Sequence, residues 1–440
     1  MATTSTPMKR IATASLVGTT IEFYDFLIYG YAAALVFAPL FFPSLGDSAA
    51  TWASVATFGV AFLFRPLGAI VFGHFGDRLG RKKTLVTTLV MMGGATFAIG
   101  LVPTASTIGA GAPLILVLLR AIQGTALGGE WAGAALLTSE HADAAKRGKY
   151  SLFPQLGPAL GVIIASGTFL LTIKAFGLPA FQTWAWRAPF LVSIVLIGVG
   201  LWVRLTIAET PSFAKVTETR ARVSFPFAEC IRDQWKQVLL GGGMLSMTFG
   251  AFYLSIVFLG GIAAKPADAG GLGLTLDDLL LGNIAAGVVL CLAVIGSAIL
   301  SDTVGRRTVL LTGTLFGLVA GPLAFAILEP GNVGSFVGAM AVLMLAIAIP
   351  YGPAAAYLPE LFRAKYRYTG AGMAYNLAGI VGGALPLVVA DPLLARWGLD
   401  GLAYFVTGLA AMSTLCLFAL RETRGEVLDP ELAAVPVPAA

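Results

Sequence analysis

Gly73-His74-Phe75-Gly76-Asp77-Arg78-Leu79-Gly80-Arg81-Lys82-Lys83 lies between two long apolar runs, and a shorter version returns as Ser301-Asp302-Thr303-Val304-Gly305-Arg306-Arg307. Asp77 and Asp302, Gly80 and Gly305, and Arg81 and Arg306 are each 225 positions apart. A charged, glycine-containing turn between apolar segments, present once per half chain, reads as a duplicated membrane architecture. Gly73, Gly76 and Gly80 allow helix ends to approach closely. Asp77 can accept from helix N-terminal amides or from a neighbouring arginine such as Arg78 or Arg81. The cluster reads as a latch that holds helix ends in one conformation and releases them in another, or as a solvated turn that fixes topology.

Composition supports the membrane reading. The chain has 440 residues, 57% hydrophobic and 12% charged, with a mean hydropathy of +0.86. A soluble domain of this size would leave its surface apolar. The apolar runs are about 20 residues long, enough to cross the hydrocarbon as helices. Each such span satisfies its own backbone, which favours helices over a barrel at these lengths. The 53 glycines suit close helix packing in a bilayer. Twelve spans are predicted at about 12–40, 51–73, 84–103, 112–139, 150–173, 184–207, 237–262, 278–300, 308–328, 335–358, 368–390 and 401–420. They divide into a bundle over 1–208, a polar central loop at 209–236 expected to lie on the membrane surface, a second bundle over 237–424 and a short tail at 425–440. The expected class is an all-α integral membrane protein with twelve transmembrane helices in two six-helix bundles.

Basic residues orient it. Lys9, Arg10, Arg78, Arg81, Lys82, Lys83, Lys146, Arg147, Lys149, the basic residues of the 215–236 segment, Arg306, Arg307, Arg363, Lys365, Arg367, Arg421 and Arg424 fall on one side of these spans, and only Lys174, Lys265 and Arg396 between spans on the other. The positive-inside bias places both termini and the central loop in the cytoplasm. The first run carries Glu22 and Asp25, a poor secretory core, so a retained first helix is expected.

Further marks repeat. Glu140 and Arg147 follow span four, and Glu360 and Arg367 follow span ten 220 positions later. Glu209-Thr210 after span six is matched by Glu422-Thr423 after span twelve. Glu140, Arg147, Glu360 and Arg367 are the natural partners of the latch, completing a gating set with Gly73, Asp77, Arg78, Gly80, Arg81, Asp302 and Arg306. His74 and His141 read as loop residues.

Charged residues inside spans are costly and usually face a partner or a wet cavity. Glu22, Asp25 and Tyr29 share one face of span one by their i, i+3, i+7 spacing. Arg120 and Gln123 are neighbours on span four. A span-one carboxylate facing Arg120 would form a pair whose strength depends on protonation, as proton coupling requires; a permanent structural bridge is the alternative. Asp25 and Glu22 both remain candidates. Arg65 lies near mid-membrane, able to hold a substrate carboxylate bidentately or to pair with Asp25 or Glu22. Arg187 reads as an interface anchor. Tyr253, Asn283, Tyr351, Tyr357, Tyr375 and Asn376 are candidate polar lining in the second half. The proposed substrate set is Arg65, Tyr29, Gln123, Tyr253, Asn283, Tyr351 and Asn376.

Cys230, Cys291 and Cys416 have no metal or disulfide spacing. With two histidines and no Walker loop or nucleophile constellation, enzyme chemistry, ATP and any cofactor or metal are not expected. Partners are expected to be a small-molecule substrate, protons and the lipid bilayer, with no nucleic acid and a monomer as the working unit.

Glu22-Phe23-Tyr24-Asp25-Phe26, Arg65-Pro66-Leu67-Gly68, the run 73–83, Arg120 through Glu130, Trp186-Arg187-Ala188-Pro189-Phe190, Glu209-Thr210-Pro211 and Pro359-Glu360-Leu361-Phe362 together resemble the metabolite:proton symporters of the major facilitator superfamily. That group includes bacterial permeases for α-ketoglutarate, shikimate, citrate and proline/betaine. The resemblance implies a twelve-helix, two-bundle fold, alternating access and proton-driven uptake of a small organic acid or zwitterion across the bacterial plasma membrane. Two departures stand out. Arg363 follows Phe362 where the family commonly has proline, and the tail lacks the heptads of osmosensing carriers. Gly157-Pro158 with Gly161 also keeps open a proton-antiport exporter of amphipathic compounds. A membrane sensor would need an output domain, and no loop is long enough to supply one.

Overall fold

The computed structural model describes residues 7–206, 226–426 and 428. Glu209-Thr210-Pro211 with the rest of 207–225, and the tail beyond 428, lie outside the described residues. The chain runs through α1 (Met8–Leu35), α2 (Asp47–Leu79), α3 (Arg81–Leu101) and α4 (Gly111–His141). Then follow α5 (Ala144–Phe176), α6 (Arg187–Leu205), α7 (Pro226–Ala264), α8 (Leu276–Val304), α9 (Arg306–Ala326) and α10 (Val333–Glu360). The last apolar stretch, Ala364–Phe418, has 55 residues. Built as one helix it would be about 80 Å long, far beyond the hydrocarbon thickness. Gly398 breaks it at φ 60°, ψ −151°, separating α11 (364–397) from α12 (399–418). Among the described residues twelve crossings result. Residues 226–236, part of the expected central loop, are helical and enter α7 across a break at Gln234.

The repeated motif forms the same turn twice. Helix α2 ends at Leu79, Gly80 takes φ 110°, and α3 starts at Arg81. Helix α8 ends at Val304, Gly305 takes φ 109°, and α9 starts at Arg306. That backbone region is strained for any residue with a Cβ, so the one-residue reversal needs glycine at both places.

Helices α1–α6 form one bundle and α7–α12 the other. Helices α1 and α7 are enclosed on most of their surface, whereas only about a third of α6 is buried. Large apolar side chains such as Trp202, Leu171 and Leu415 project outward, as lipid contact demands. The bundles meet through α2 against α11, α5 against α8 and α10, and aromatic contacts between α1 and α7. Within the first bundle, Gly124 and Gly128 of α4 press on the α2 backbone at Ala61 and Arg65, where a Cβ would collide. This close contact sets the position of Arg65.

Two details differ from the sequence reading. His74 sits inside α2, five residues before its end, and His141 in the last turn of α4, because these helices extend beyond their apolar cores. Arg187 donates to the carbonyls of Gly100 (3.0 Å) and Val102 (2.8 Å), and so satisfies acceptors left open at the end of α3.

Candidate substrate site, proton site and gate

Away from the basic end, the charged side chains buried inside the first bundle among the described residues are Glu22 and Asp25 on α1, Arg65 on α2, Arg120 and Glu130 on α4, and Arg204 on α6. Arg120 does not meet either acid of α1. Its guanidinium donates to Gln123 Oε1 (2.8 Å) and the Phe58 carbonyl (3.1 Å) and lies 4.1 Å from the Tyr29 ring centroid. The expected carboxylate pair is replaced by an amide one turn along the same helix and by aromatic faces, which also accommodate a buried cation. Asp25 turns toward α6 and accepts from Ser193 (2.9 Å). The ion pair that does form is Arg204 with Glu130. The sequence reading passed over Arg204 as the partner of Glu130, since it stands near the basic end of span six and resembles a flanking charge. Seeking a cation for every acid inside a span would have found it.

Arg65 is different. Among the described residues no carboxylate lies within ion-pair distance of it. It donates to the Tyr253 hydroxyl (3.3 Å), its guanidinium lies over Phe62 (4.4 Å) and Phe26 (4.8 Å), and its Nε has no partner. Beyond Tyr253 is a small cleft between the bundles, with aromatic walls from Phe23, Phe249, Phe252, Tyr253, Tyr351 and Tyr375. In this closed conformation it has room for about one water molecule, so a substrate needs the bundles to part. Tyr351 and Tyr375 hydroxyls lie 3.1 Å apart, the Tyr375 ring stacks on Trp131 at 3.8 Å, and Thr248 Oγ1 has no partner. The surface facing this space is apolar, and the hydroxyls of Tyr351, Tyr375 and Thr248 stand behind it.

Of the proposed substrate residues, Tyr253 and Tyr351 line the cavity and Arg65 reaches it through Tyr253. The others are engaged within the protein. Tyr29 donates to Thr57 (2.7 Å), Gln123 joins Arg120 to Thr96 (2.7 Å), Asn283 donates to Tyr31 (3.3 Å), and Asn376 donates to the Gly128 carbonyl (2.8 Å). Tyr357 donates to the Arg421 carbonyl (2.6 Å). Polarity and depth on a helix do not reveal which groups already have partners. Phe249, Phe252 and Tyr375 complete the wall.

At the basic end the two bundles are tied by a network with internal symmetry. Asp77 accepts from Thr369 N (3.2 Å) and Oγ1 (2.8 Å) at the start of the helix segment Arg367–Ala378. Asp302 accepts from Gly148 N and Lys149 N (2.8 Å each) at the start of the segment Arg147–Gln155. Each motif aspartate thus caps a helix of the opposite bundle, where the helix dipole favours a carboxylate. The acids also cross the seam. Glu140 lies 3.5 Å from Arg81 and 3.6 Å from Arg367, while Glu360 lies 2.6 Å from Arg147 and 3.3 Å from Arg306. Gly73 lies against Thr369 with no room for a Cβ. Arg78 departs from the gating set: it is exposed and meets His74 (3.3 Å).

The opposite end is tied more lightly. Tyr31 links Asn283 of α8 to Ser166 of α5 (2.9 Å), and Lys174–Asp277 is an exposed pair of the kind that contributes little. This conformation is closed at the basic end.

Asp77→Asn is expected to slow transport several-fold while leaving substrate affinity within about threefold. The substitution weakens two charge-assisted bonds across the seam, each typically about 1.5–3 kcal/mol, and no cavity contact. Parallel turnover and equilibrium-binding measurements decide this. Unchanged turnover removes Asp77 from the gate, and a dissociation constant raised by orders of magnitude moves it to the binding site.

The family described as sugar (and other) transporter matches residues 11–225 and 237–430. The chain is 40% identical over 421 residues to the inner membrane metabolite transport protein YhjE of Escherichia coli (strain K12), covering 96% of each. It is 38% identical over 390 residues to the shikimate transporter of the same strain, covering 88% of each. Among solved structures it superposes on the major facilitator superfamily proton:xylose symporter XylE bound to 6-bromo-6-deoxy-D-glucose. The TM-score is 0.79 at 20% identity, covering 97% of this chain and 98% of the other.

Proposed function

The chain belongs to the sugar (and other) transporter family of the major facilitator superfamily, and on that premise we propose that it imports a small organic acid or zwitterionic metabolite together with protons. It is a multi-pass membrane transporter of small molecules, not an enzyme. The finer reading rests on one observation: Arg65 is buried at the edge of an aromatic cavity, bonded to a lining tyrosine and lacking a carboxylate partner. A substrate carboxylate supplies that partner in a geometry suited to a planar guanidinium. The relative named as a shikimate transporter, shikimate being a carboxylate, supports the same class.

In this mechanism substrate enters from the side opposite the basic end. The positive-inside bias makes the basic end cytoplasmic, in the inner membrane of a bacterium. Its carboxylate takes Arg65, and Asp25 or Glu22 takes up a proton as the charges around it rearrange. The bundles then rock, the gate around Asp77 and Glu360 opens, and substrate and proton leave to the cytoplasm. Gly157 and Gly161, the cue for an exporter, lie against Thr19 and Phe23 of α1, so helix packing accounts for them.

A thermal-shift screen of purified protein against organic acids, amino acids and betaines is expected to identify the ligand. Its accumulation in right-side-out vesicles under an imposed inward proton gradient tests the proposal. Stimulated extrusion instead of uphill uptake overturns import. Arg65→Lys is expected to weaken that ligand's binding roughly ten- to hundredfold, about 1.5–3 kcal/mol, because lysine keeps the charge but lacks the bidentate fork. Unchanged affinity in Arg65→Lys makes Arg65 structural, or the substrate one without a carboxylate.

A further inference from the structure

Trp131, Gln155, Tyr351 and Tyr375 form a closed ring of contacts across the seam. The Trp131 indole Nε1 donates to Gln155 Oε1 (2.8 Å), and Gln155 Nε2 donates to the Tyr351 carbonyl (2.6 Å). The Tyr351 and Tyr375 hydroxyls meet at 3.1 Å. The Tyr375 ring closes the circuit by lying flat on Trp131, with 3.8 Å between centroids and 5° between planes. Trp131 on α4 and Gln155 on α5 belong to the first bundle, Tyr351 on α10 and Tyr375 on α11 to the second. The seam is therefore crossed twice, once by an amide hydrogen bond and once by an aromatic stack. Neither Trp131 nor Gln155 belongs to the substrate, proton or gating sets above.

The ring obeys the internal repeat. Trp131 and Tyr351 are 220 positions apart, as are Gln155 and Tyr375, the offset that also relates Glu140 to Glu360 and Arg147 to Arg367. The bond from Trp131 to Gln155 within the first bundle corresponds to the bond between Tyr351 and Tyr375 within the second. The two crossings likewise correspond to each other. Position along the helices fixes the level of the ring. Trp131 and Tyr351 lie nine residues before Glu140 and Glu360, and Gln155 and Tyr375 lie eight after Arg147 and Arg367. At about 1.5 Å per residue, all four sit roughly 12–14 Å inward from the salt-bridge gate. Pro158 and Ile347, which line the cleft, lie about one turn further inward on α5 and α10. The ring thus stands between the cleft and the basic end, with Tyr351 and Tyr375 as the shared wall.

We propose that the ring is an inner gate, closing the cleft toward the basic end and opening together with the salt-bridge gate beneath it. The segment Arg147–Gln155 has Asp302 at its start and Gln155 at its end. The segment Arg367–Ala378 has Asp77 at its start and Tyr375 in its last turn. Each is a short helical rod with one end in the salt-bridge gate and the other in the ring, so a shift at either end reaches the other. Substrate in the cleft reaches the basic end only when Tyr375 leaves Trp131 and Gln155 leaves Tyr351. Trp131 and Gln155 are positioning residues: they hold the wall from behind and do not line the cleft. The inner gate requires alternating access alone and serves import and export equally.

A cysteine in place of Thr248, which lines the cleft, reports the inner gate in full-length protein whose three native cysteines are replaced. The probe is the membrane-impermeant thiol reagent 2-sulfonatoethyl methanethiosulfonate, applied to vesicles of each orientation. Gln155→Leu and Trp131→Ala each remove one crossing of the seam and are expected to raise modification from the basic-end face about tenfold, with no rise from the opposite face. Trp131→Phe keeps a ring for Tyr375 to stack on and is expected to restore most of the protection. Spin labels at the exposed positions Lys146 and Thr303 are expected to move apart in the same two variants, although neither substitution touches the salt bridges. Unchanged modification, equal acceleration from both faces, or faster modification with the spin labels unmoved overturns the proposal. If Trp131→Ala does not fold, Gln155→Leu decides it by the same readings. No substrate or proton gradient enters these measurements, so their failure leaves proton-driven import standing, and failed vesicle uptake leaves the inner gate standing.

Discussion

In right-side-out vesicles given an inward proton gradient, Asp25→Asn is expected to abolish uphill accumulation while sparing substrate counterflow, which needs no net proton movement. The structure gives the reason in atoms. Asp25 is fully buried, accepts one bond from Ser193, and has no donor on Oδ2. The Thr96 hydroxyl adjoins it. Thr96 accepts from Gln123, and Gln123 accepts from Arg120, so the acid and the arginine are linked through two neutral side chains. The Thr96 hydroxyl donates to the Met92 carbonyl at 2.9 Å, and ionisation of Asp25 is expected to draw it away, a change that reaches Arg120 through Gln123. Asparagine keeps the volume and the bond to Ser193 but cannot bind and release a proton. Glu22→Gln belongs in the same assay, since a reversed phenotype assigns the proton to Glu22. If both neutral variants still concentrate substrate after an acid-outside pulse, coupling does not run through α1.

How much of this was legible depends on the range of each interaction. The turns at Gly80 and Gly305 were legible because they are local: charge, glycine and apolar flanks within a few residues dictate the reversal. The twelve crossings follow from run length alone, including the last two, which a single long helix would otherwise merge and Gly398 divides. Asp77 as a helix cap was anticipated in kind. That the capped helix belongs to the other bundle, at Thr369, was not, since no local pattern encodes a contact 292 residues apart. Arg120 shows the limit most clearly. Its helix face follows from spacing, but Gln123, the Phe58 carbonyl and the Tyr29 ring compete for the guanidinium, and the winner depends on packing. Tyr253 and Tyr351 were recoverable as polar residues in an apolar half. Their aromatic companions Phe249 and Phe252 read as ordinary core, because a hydrophobic cavity wall and a hydrophobic core use the same residues.

Glu360→Gln is expected to produce the largest conformational shift of any single change at the gate, opening the basic end. The Glu360 carboxylate is buried and accepts from Arg147 of the first bundle, Arg306 of the second and the Thr423 hydroxyl. Glutamine preserves shape but leaves two buried guanidiniums without their counter-charge, and breaking a buried pair this way typically costs about 3–5 kcal/mol. That cost falls on the closed state, because opening exposes the same guanidiniums to water. A bias near 3 kcal/mol changes the closed-to-open ratio by roughly 100-fold. Spin labels at the exposed positions Lys146 and Thr303, on opposite sides of the seam, read this directly once the three native cysteines are replaced. The distance distribution should broaden and lengthen in Glu360→Gln. Glu140→Gln provides the internal comparison: its ion pairs are longer, at 3.5 and 3.6 Å, and a Coulomb pair weakens with separation, so its shift should be smaller. Equal shifts in the two variants would mean that the helix caps at Asp77 and Asp302, rather than the Glu360 network, hold the gate. No shift in either would place the closing energy in the apolar seam between α2 and α11.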